Sequence, residues 1–165
     1  MRRFLVTVIA ACGIISAGCC QNTPAPKKDM AVQLYSARDL IGSPELYAKN
    51  HVEVLKAIAD MGYTGVEAAN YKNGLFYGVS PEQFKADIEA AGMEVVASHT
   101  NRKLSAKELA SGDLTEALAW WDEAIPAHKA AGMRYVVCPS MTIPETLAGL
   151  KVTCDYFNEV GRKCK

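Results

Sequence analysis

The chain has 165 residues, half of them hydrophobic, and its 18 Lys and Arg side chains balance 18 Asp and Glu side chains. This composition argues against intrinsic disorder, and zero formal net charge gives no long-range attraction to nucleic acid. We therefore expect a folded protein whose partner is a small molecule.

Residues 1–18 have the pattern of a signal peptide. Arg2 and Arg3 give a positive start, residues 4–15 are almost continuously apolar, and three small residues precede Cys19. The apolar run is shorter than the roughly 20 residues that span a bilayer, which favours cleavage over a permanent anchor. The Ser-Ala-Gly-Cys ending resembles a bacterial lipobox. That implies lipidation of Cys19 and a lipid-anchored location in the cell envelope, periplasmic or surface-exposed. An ordinary cleaved signal and a short anchor are the alternatives.

Residues 19–29 have the composition of a flexible tether, because they include two prolines and no large apolar side chain. The folded part is expected to be residues 30–165. Cys154 and Cys164 lie on one predicted helix, about 15 Å apart along its axis, so they are not expected to form a disulfide.

One short pattern occurs three times in that folded part: the end of a helix, a glycine, and a β-branched apolar run. The glycines are Gly62, Gly92 and Gly132. Glycine suits the left-handed conformation that ends a helix. The apolar run that follows is typical of a parallel strand buried on both faces. The repeat therefore predicts alternating helices and strands.

The patterns predict the following elements in chain order: strand 31–36, helix 44–61, strand 65–69, helix 81–91, strand 94–98, a short turn 105–110, helix 114–131, strand 135–138 and helix 144–163. N-cap residues are predicted before most helices: Ser43, Ser80, Asp113 and Thr142. Pro126 is expected to kink or split its helix. Four strand–helix alternations indicate an α/β protein with a parallel sheet and right-handed crossovers.

This order fits either an open doubly wound sheet or a barrel. The first strand is followed by no glycine-rich phosphate loop, and polar residues recur at the carboxyl ends of the strands, where barrel active sites lie. Both features favour a barrel. A complete barrel takes about 250 residues and eight units. We therefore expect an incomplete barrel, the first four units of a (β/α)₈ TIM barrel, with two open sheet edges that promote self-association.

Several polar side chains are candidates for substrate contact at the carboxyl ends of the strands. Gln33, Tyr35, Glu67 and His99 end predicted strands, and Asn70 and Lys72 follow in a loop. Glu67 ends an apolar strand, where a charge is costly unless it faces the barrel mouth or an ion-pair partner. A catalytic base and an ion pair with Lys72 or Arg102 both remain open for it. His99 could bind a hydroxyl or move a proton, and metal ligation is disfavoured because no second ligand stands at a suitable spacing.

For the other reactive or aromatic residues, a role in packing is favoured over a role in binding or catalysis. At least one of Trp120 and Trp121 is expected in the core. Cys138 is expected to be a small buried hydrophobe rather than a nucleophile. The segment 71–77, with two tyrosines and a phenylalanine, could wall a carbohydrate pocket or be an ordinary packed loop. His51 and His128 lie in predicted helices and are expected at the surface or in packing.

Three segments together resemble the opening strands of the xylose isomerase-like TIM barrels, often described as sugar phosphate isomerase/epimerases. They are Val-Gln-Leu-Tyr-Ser-Ala-Arg-Asp at 32–39, Gly-Tyr-Thr-Gly-Val-Glu at 62–67 and Val-Ala-Ser-His-Thr at 96–100. The resemblance runs from about Met30 to Lys165. It implies a (β/α)₈ barrel and a role in carbohydrate metabolism, namely isomerisation or epimerisation next to a carbonyl. Glu67 and His99 are then the catalytic groups on the substrate side.

The resemblance also implies a divalent metal (Mn, Mg, Co or Zn), whose ligands come mainly from strands five to eight. No ligand set is found in this chain, so we expect it to be inactive by itself, whether it is a truncated product or one of two pairing half-barrels. Export favours an unphosphorylated sugar as substrate. The alternatives are a lyase or hydrolase of keto-glycosides on the same fold and a non-catalytic surface sugar-binding lipoprotein.

Overall fold

A computed structural model describes residues 29–165. The predicted signal peptide, Cys19 and all but the last residue of the predicted tether lie outside the described residues. Within residues 29–165, no helix is both long enough and apolar enough to cross a membrane.

The described chain consists of four β/α units. The elements are β1 (Ala31–Gln33), a short 3₁₀ helix (Leu34–Ala37), α1 (Arg38–Ile41), α2 (Pro44–Asp60), β2 (Gly65–Ala68), β3 (Tyr71–Lys72), β4 (Leu75–Phe76), α3 (Pro81–Ala90), β5 (Glu94–His99), α4 (Ala106–Ser111), α5 (Thr115–Ala130), β6 (Tyr135–Val137) and α6 (Leu147–Lys163).

Four of the strands form one parallel sheet in the order β1-β2-β5-β6. The parallel sheet predicted from the repeat is thereby confirmed. Because all four strands run in the same direction, their carboxyl ends meet at one edge of the sheet. Strands β3 and β4 form a separate antiparallel hairpin between β2 and α3.

The helix boundaries follow the signals in the sequence. Gly62, Gly92 and Gly132 adopt positive φ values of 95°, 81° and 81°, and each ends a helix before the chain enters the next strand. Ser43 and Ser80 are N-caps that accept hydrogen bonds from backbone N–H groups three residues later.

Two apolar clusters hold the helices on one face of the sheet. The first packs Val66 and Val95 of the sheet against helix residues such as Leu55, Phe84 and Ile88. The second is built by α5 and α6 and by residues flanking them: Leu104, Ala117, Trp121, Ala124, Ile125, Tyr156 and Val160. Trp121 donates its indole N–H to the hydroxyl of Tyr156 over 2.6 Å, which confirms the prediction that one of the two tryptophans is in the core.

The structure corrects both ends of the predicted element series. The first strand ends at Gln33, not residue 36, because the chain turns into a 3₁₀ helix that buries Leu34. The last helix begins at Leu147, not residue 144, because its N-cap is Thr146. Thr142, predicted to be that cap, instead donates its hydroxyl to the carbonyl of Leu104 over 2.5 Å.

The structure also differs from the predictions in the middle of the chain. The segment 105–110 belongs to a capped helix, α4, where Ser105 and Glu108 form a reciprocal capping box. Leu114 occupies the N-cap position of α5 and has no side-chain acceptor; Asp113, one residue before it, accepts the backbone N–H of Thr115 over 3.0 Å and its hydroxyl over 2.7 Å. Pro126 does not split α5, which is continuous through it. Because proline has no backbone N–H, the carbonyl of Asp122, four residues earlier, has no donor within the helix. Asp122 is exposed.

A bulge in β5 decides which of its side chains face the helices. Val66 pairs with Val95, whereas the next residue of β2, Glu67, pairs with Ala97, so Val96 is an additional residue. Val95 belongs to the first apolar cluster, but Ala97 lies beside Glu67, and His99 lies beside the partly exposed Val137. Without the bulge, strand alternation would place residues 95, 97 and 99 on the same face. The bulge therefore turns Ala97 and His99 away from the helices.

Gly65 makes room for this bulge. A Cβ built on Gly65 would lie 2.7 Å from Cγ2 of Val96. Because valine is β-branched and stiff, its side chain cannot move away cheaply. We predict that Gly65→Ala lowers the free energy of unfolding by roughly 1–3 kcal/mol, as overpacking does, although alanine is otherwise the better strand residue.

Urea denaturation checks this prediction through a double-mutant cycle with Val96→Ala. We expect the cost of Gly65→Ala to shrink by about 1 kcal/mol or more in the Val96→Ala background, because the clashing methyl groups are gone. A Gly65→Ala cost that is the same in both backgrounds would show that the bulge does not depend on this glycine.

His128 is buried in α5 with one unsatisfied ring nitrogen. Its Nδ1 lies 2.7 Å from the carbonyl oxygen of Ala124 and must carry the proton, whereas Nε2 has no hydrogen-bond partner among residues 29–165. The ring packs against Tyr71 and Phe76. Burial lowers the pKa of His128, because the charged imidazolium is poorly solvated there.

This burial predicts acid-sensitive stability. Since the folded pKa lies below the unfolded value near 6.5, the unfolded chain binds more protons as the pH falls below about 7, and the free energy of unfolding falls with it. We expect His128→Phe to weaken this dependence in urea titrations between pH 8 and pH 5. His51→Phe, at a more exposed ring, is the control and should retain it. An unchanged slope for His128→Phe would contradict the assignment.

Candidate functional site

The candidate site lies on the face of the sheet opposite the helices, which we call the inner face. Its residues are Ala31, Gln33, Gly65, Glu67, Val96, Ala97, His99, Tyr135 and Val137. Three of the predicted site residues, Gln33, Glu67 and His99, lie on this face at or near the carboxyl ends of their strands. The parallel register places Gln33 beside Glu67. His99 lies two residues beyond Ala97, the partner of Glu67, which is about 6–7 Å further along the strand.

Glu67 is held by a neutral hydrogen-bond donor rather than by a cation. The side-chain amide of Gln33 donates to Oε1 of Glu67. The structure shows no ion pair between Glu67 and any residue in the range 29–165. The two ion-pair partners that the sequence left open for Glu67, Lys72 and Arg102, are therefore both wrong. One carboxylate oxygen of Glu67 thus has a fixed neighbour, and the other is not engaged by a described side chain.

Arg102 is instead engaged by Glu108. Its two terminal guanidinium nitrogens donate to the two carboxylate oxygens over 3.0 and 2.8 Å. This pairing, with the N–H and hydroxyl of Ser105, lowers the pKa of Glu108 to about 2. Glu108 is buried, so the pair anchors the loop that follows β5. The Ser-x-x-Glu spacing was a readable signal for the cap, but the arginine partner was not predictable from it.

The imidazole of His99 is available to hydrogen-bond a substrate. Its side chain is partly buried, and the structure shows no hydrogen bond from its imidazole to another described residue. Its strand neighbour on β6 is Val137, which is itself partly exposed. Tyr135 and Val137 were not singled out from the sequence, yet they provide the apolar part of the inner face.

Tyr35 does not end a strand. It lies in the 3₁₀ helix after β1 and is 54% exposed. The guanidinium carbon of Arg38 lies 4.7 Å from the centre of its ring, a cation–π contact, and Arg38 also donates to the Tyr35 carbonyl. Asp39, next along the chain, is strongly exposed.

The residues after β2 have mainly structural contacts. The amide of Asn70 donates to the carbonyl of Gly42 over 2.7 Å, which ties this loop to the start of α2. Lys72 is exposed on β3. The aromatic segment 71–77 forms the β3–β4 hairpin with Phe76 and Tyr77 fully buried, which matches a packed loop and not a pocket wall.

Cys138 and Ser140 follow β6. Cys138 packs at the margin of the second apolar cluster, and burial raises the pKa of its thiol. A raised pKa disfavours the reactive thiolate, in agreement with the prediction that Cys138 is a small hydrophobe. The backbone carbonyl of Ser140 accepts a hydrogen bond from the side chain of Asn101, so this loop is tied to the one after β5.

The metal implied by the resemblance finds no set of ligands in the described part of the chain. No group of three or more His, Cys, Asp or Glu side chains within residues 29–165 is arranged to hold a metal ion. The donors on the inner face, Glu67 and His99, fall short of the three protein ligands that catalytic metal sites use.

Chemically, the arrangement offers a carboxylate, an imidazole and an amide at one edge of an otherwise apolar face. A carboxylate can accept a proton or a hydroxyl hydrogen bond, and an imidazole can donate, accept or transfer a proton. Such a set can bind a polyhydroxylated molecule and move a proton within it.

The sequence matches no protein-family model. It likewise has no significant match among curated proteins.

Solved structures do resemble the chain. A sugar phosphate isomerase/epimerase from Parabacteroides distasonis superposes with a TM-score of 0.69 and 28% identity, over 83% of this chain and 50% of that one. A second sugar phosphate isomerase/epimerase from the same organism gives 0.66 and 24%, over 86% and 49% of the two chains. A xylose isomerase domain-containing protein from Salmonella typhimurium gives 0.54 and 12%, over 84% and 47%, a likeness of fold alone.

The chain thus spans about half the length of these solved structures. Its parallel sheet and alternating helices match the predicted half-barrel. The structural relatives of this chain are sugar phosphate isomerase/epimerases and xylose isomerase-like TIM barrel proteins, and its four β/α units form about half of such a barrel.

Proposed function

We propose that the inner face of this chain forms one side of a sugar site in an isomerase or epimerase that acts on an unphosphorylated sugar. The observation that carries the proposal is the convergence of Gln33, Glu67 and His99 on one face of the sheet, with the β5 bulge turning His99 to that face. The likeness to sugar phosphate isomerase/epimerases supports the sugar class.

In the proposed reaction, Glu67 is the base that removes the proton from the carbon next to the sugar carbonyl. His99 donates a proton to the carbonyl oxygen as the enediol forms, and it takes a proton from the oxygen that becomes the carbonyl of the product when the enediol collapses. Return of that proton from Glu67 to the adjacent carbon gives the isomer, and its return to the opposite face of the original carbon, after the enediol has turned over, gives the epimer. Gln33 is a positioning residue, since its amide fixes one oxygen of the Glu67 carboxylate.

Two considerations support an unphosphorylated substrate. Arg102, the arginine closest in sequence to His99, is occupied by Glu108 and so is not available to a phosphate. Sugar phosphates are made in the cytoplasm, and the predicted lipoprotein signal would place the protein outside it.

Turnover by the described half alone is not expected, because metal-assisted enolisation needs ligands that residues 29–165 do not assemble. We therefore propose sugar binding without turnover for this chain. A non-catalytic sugar-binding protein is the second candidate, favoured by the same shortage of metal ligands. The two candidates differ in whether a complete barrel containing this half interconverts sugars.

Saturation-transfer NMR of the full chain with D-fructose and D-xylose tests the binding. We expect Glu67→Gln and His99→Ala each to weaken binding about tenfold, because each removes a hydrogen bond that involves a charged or ionisable group. Glu123→Gln, at an exposed position on the outer helix α5, is the matched control and should bind normally. Fructose 6-phosphate should bind no better than fructose.

The same samples, with and without added Mn²⁺ or a chelator, report on turnover. Binding that does not respond to the chelator and no interconversion of the sugars are the expected results. Equal binding by the wild-type chain, Glu67→Gln and His99→Ala would place the sugar elsewhere and refute the proposed site.

A further inference from the structure

Both lateral edges of the four-stranded sheet are unpaired within residues 29–165. The order β1-β2-β5-β6 leaves one side of β1 and one side of β6 without a neighbouring strand. Such edges present rows of backbone donors and acceptors that can pair with another strand. Because the sheet is parallel throughout, the free edge of β1 and the free edge of β6 have matching polarity.

The helix layer is incomplete at the same two places. Inside the chain, the helix after one strand packs against the next strand: α3, which follows β2, lies against β5. Helix α6 follows β6, and no described strand lies beyond β6 for it to cover. Its exposed surface carries Leu147, Leu150 and Cys154 at positions i, i+3 and i+7, which form one stripe on a helix.

At the opposite end of the sheet, β1 has an apolar groove where a preceding helix would lie. The groove has a volume of about 590 Å³ between β1 and α2, and apolar residues dominate its lining, among them Val32, Leu34, Leu40, Ile58 and Met61. Leu40 and Met61 are exposed although they are large and hydrophobic. An exposed apolar groove beside an exposed sheet edge marks an interaction surface.

We propose that a second copy of this chain covers both edges at once and closes an eight-stranded barrel. A two-fold axis along the barrel would pair β1 of each copy with β6 of the other and seat α6 of each copy in the groove beside β1 of the other. The stripe on α6 and the groove beside β1 are both apolar, and this placement repeats the one inside the chain, where α3 packs against the strand next to the one it follows.

Closure in a ring, not growth into a filament, is expected from the likeness of the chain to half of a closed barrel. The β1–β6 contact joins two different surfaces, so it must either close or propagate. The chain superposes on about half of TIM barrel proteins, whose sheets close with twice this number of strands. Two copies therefore complete the circle. Tyr135 and Val137, now exposed on the inner face, would become part of the barrel interior.

Sedimentation equilibrium of the full chain, in density-matched detergent to hold the apolar N-terminal segment in solution, tests the proposal. We expect a protein mass of two chains. Two single variants place a charge in the contact: Leu150→Glu in the first turn of α6, and Leu40→Lys in α1, beside the groove. Both positions are near the carboxyl ends of their strands, where the partner surfaces would meet. Each variant should weaken dimerisation about tenfold or more, since it buries an unpaired charge.

A mixture of the two variants provides the sharpest result. A mixed dimer contains one contact between the new glutamate and the new lysine and one unchanged contact, whereas each variant paired with itself contains two damaged contacts. Mixing should therefore restore the dimer. Val52→Lys, on the outer surface of α2 away from the groove, is the control and should sediment like the wild-type chain. Circular dichroism verifies that each variant is folded.

The proposal is overturned by a single-chain mass at all concentrations, by assemblies that grow with concentration beyond two chains, or by a mixture that stays monomeric while both folded variants are monomeric. The first of these outcomes is expected if additional residues of a longer chain, and not a second copy, cover the edges. None of these readouts depends on sugar binding, so the test is independent of the proposed function.

Discussion

The parallel pairing of β1, β2, β5 and β6 is the constraint on which the rest of the structure depends. It brings the carboxyl ends of all four strands to one edge and forces the intervening helices onto one face, where the two apolar clusters form. The inner face is left with few polar groups, and these gather where the strands end. The same pairing leaves β1 and β6 with unused edges. The position of the candidate site, the position of the core and the two open edges therefore all follow from the parallel pairing of the strands.

Much of this architecture could be predicted because local and global signals agree. Gly62, Gly92 and Gly132 end helices in the left-handed conformation that glycine tolerates, and the apolar runs after them become the central and last strands of the sheet. The first strand was predicted too long because Leu34 fits an apolar strand pattern equally well when a 3₁₀ helix buries it. The β3–β4 hairpin is too short to leave a periodic signal, and its aromatic residues are buried by contacts distant in sequence.

The sequence predicted which residues form the candidate site better than it predicted which groups those residues contact. Polar residues ending apolar strands indicated Gln33, Glu67 and His99, and the register places them on one face. The roles of Asn70 and Arg102 could not be read from sequence, because each is bound by a group whose approach depends on the folded loops: the Gly42 carbonyl and the Glu108 carboxylate. The bulge at Val96 left no local signal, since valine is equally suited to a regular strand.

The bulge makes the chemistry of the inner face depend on the register of strand pairing as well as on composition. Removing Val96 would leave a regular strand in which Ala97 still pairs with Glu67 and His99 still lies on the inner face. Pairing Val96 itself with Glu67, without a bulge, would instead move every later residue of β5 to the opposite face. In that slipped register, the hydroxyl of Ser98, which is fully buried on the helix side of the bulged strand, would replace the imidazole on the inner face. A slip of one residue in strand pairing thus converts a histidine-bearing surface into a serine-bearing one with no change of sequence, and the space at Gly65 that accommodates the bulge protects against it.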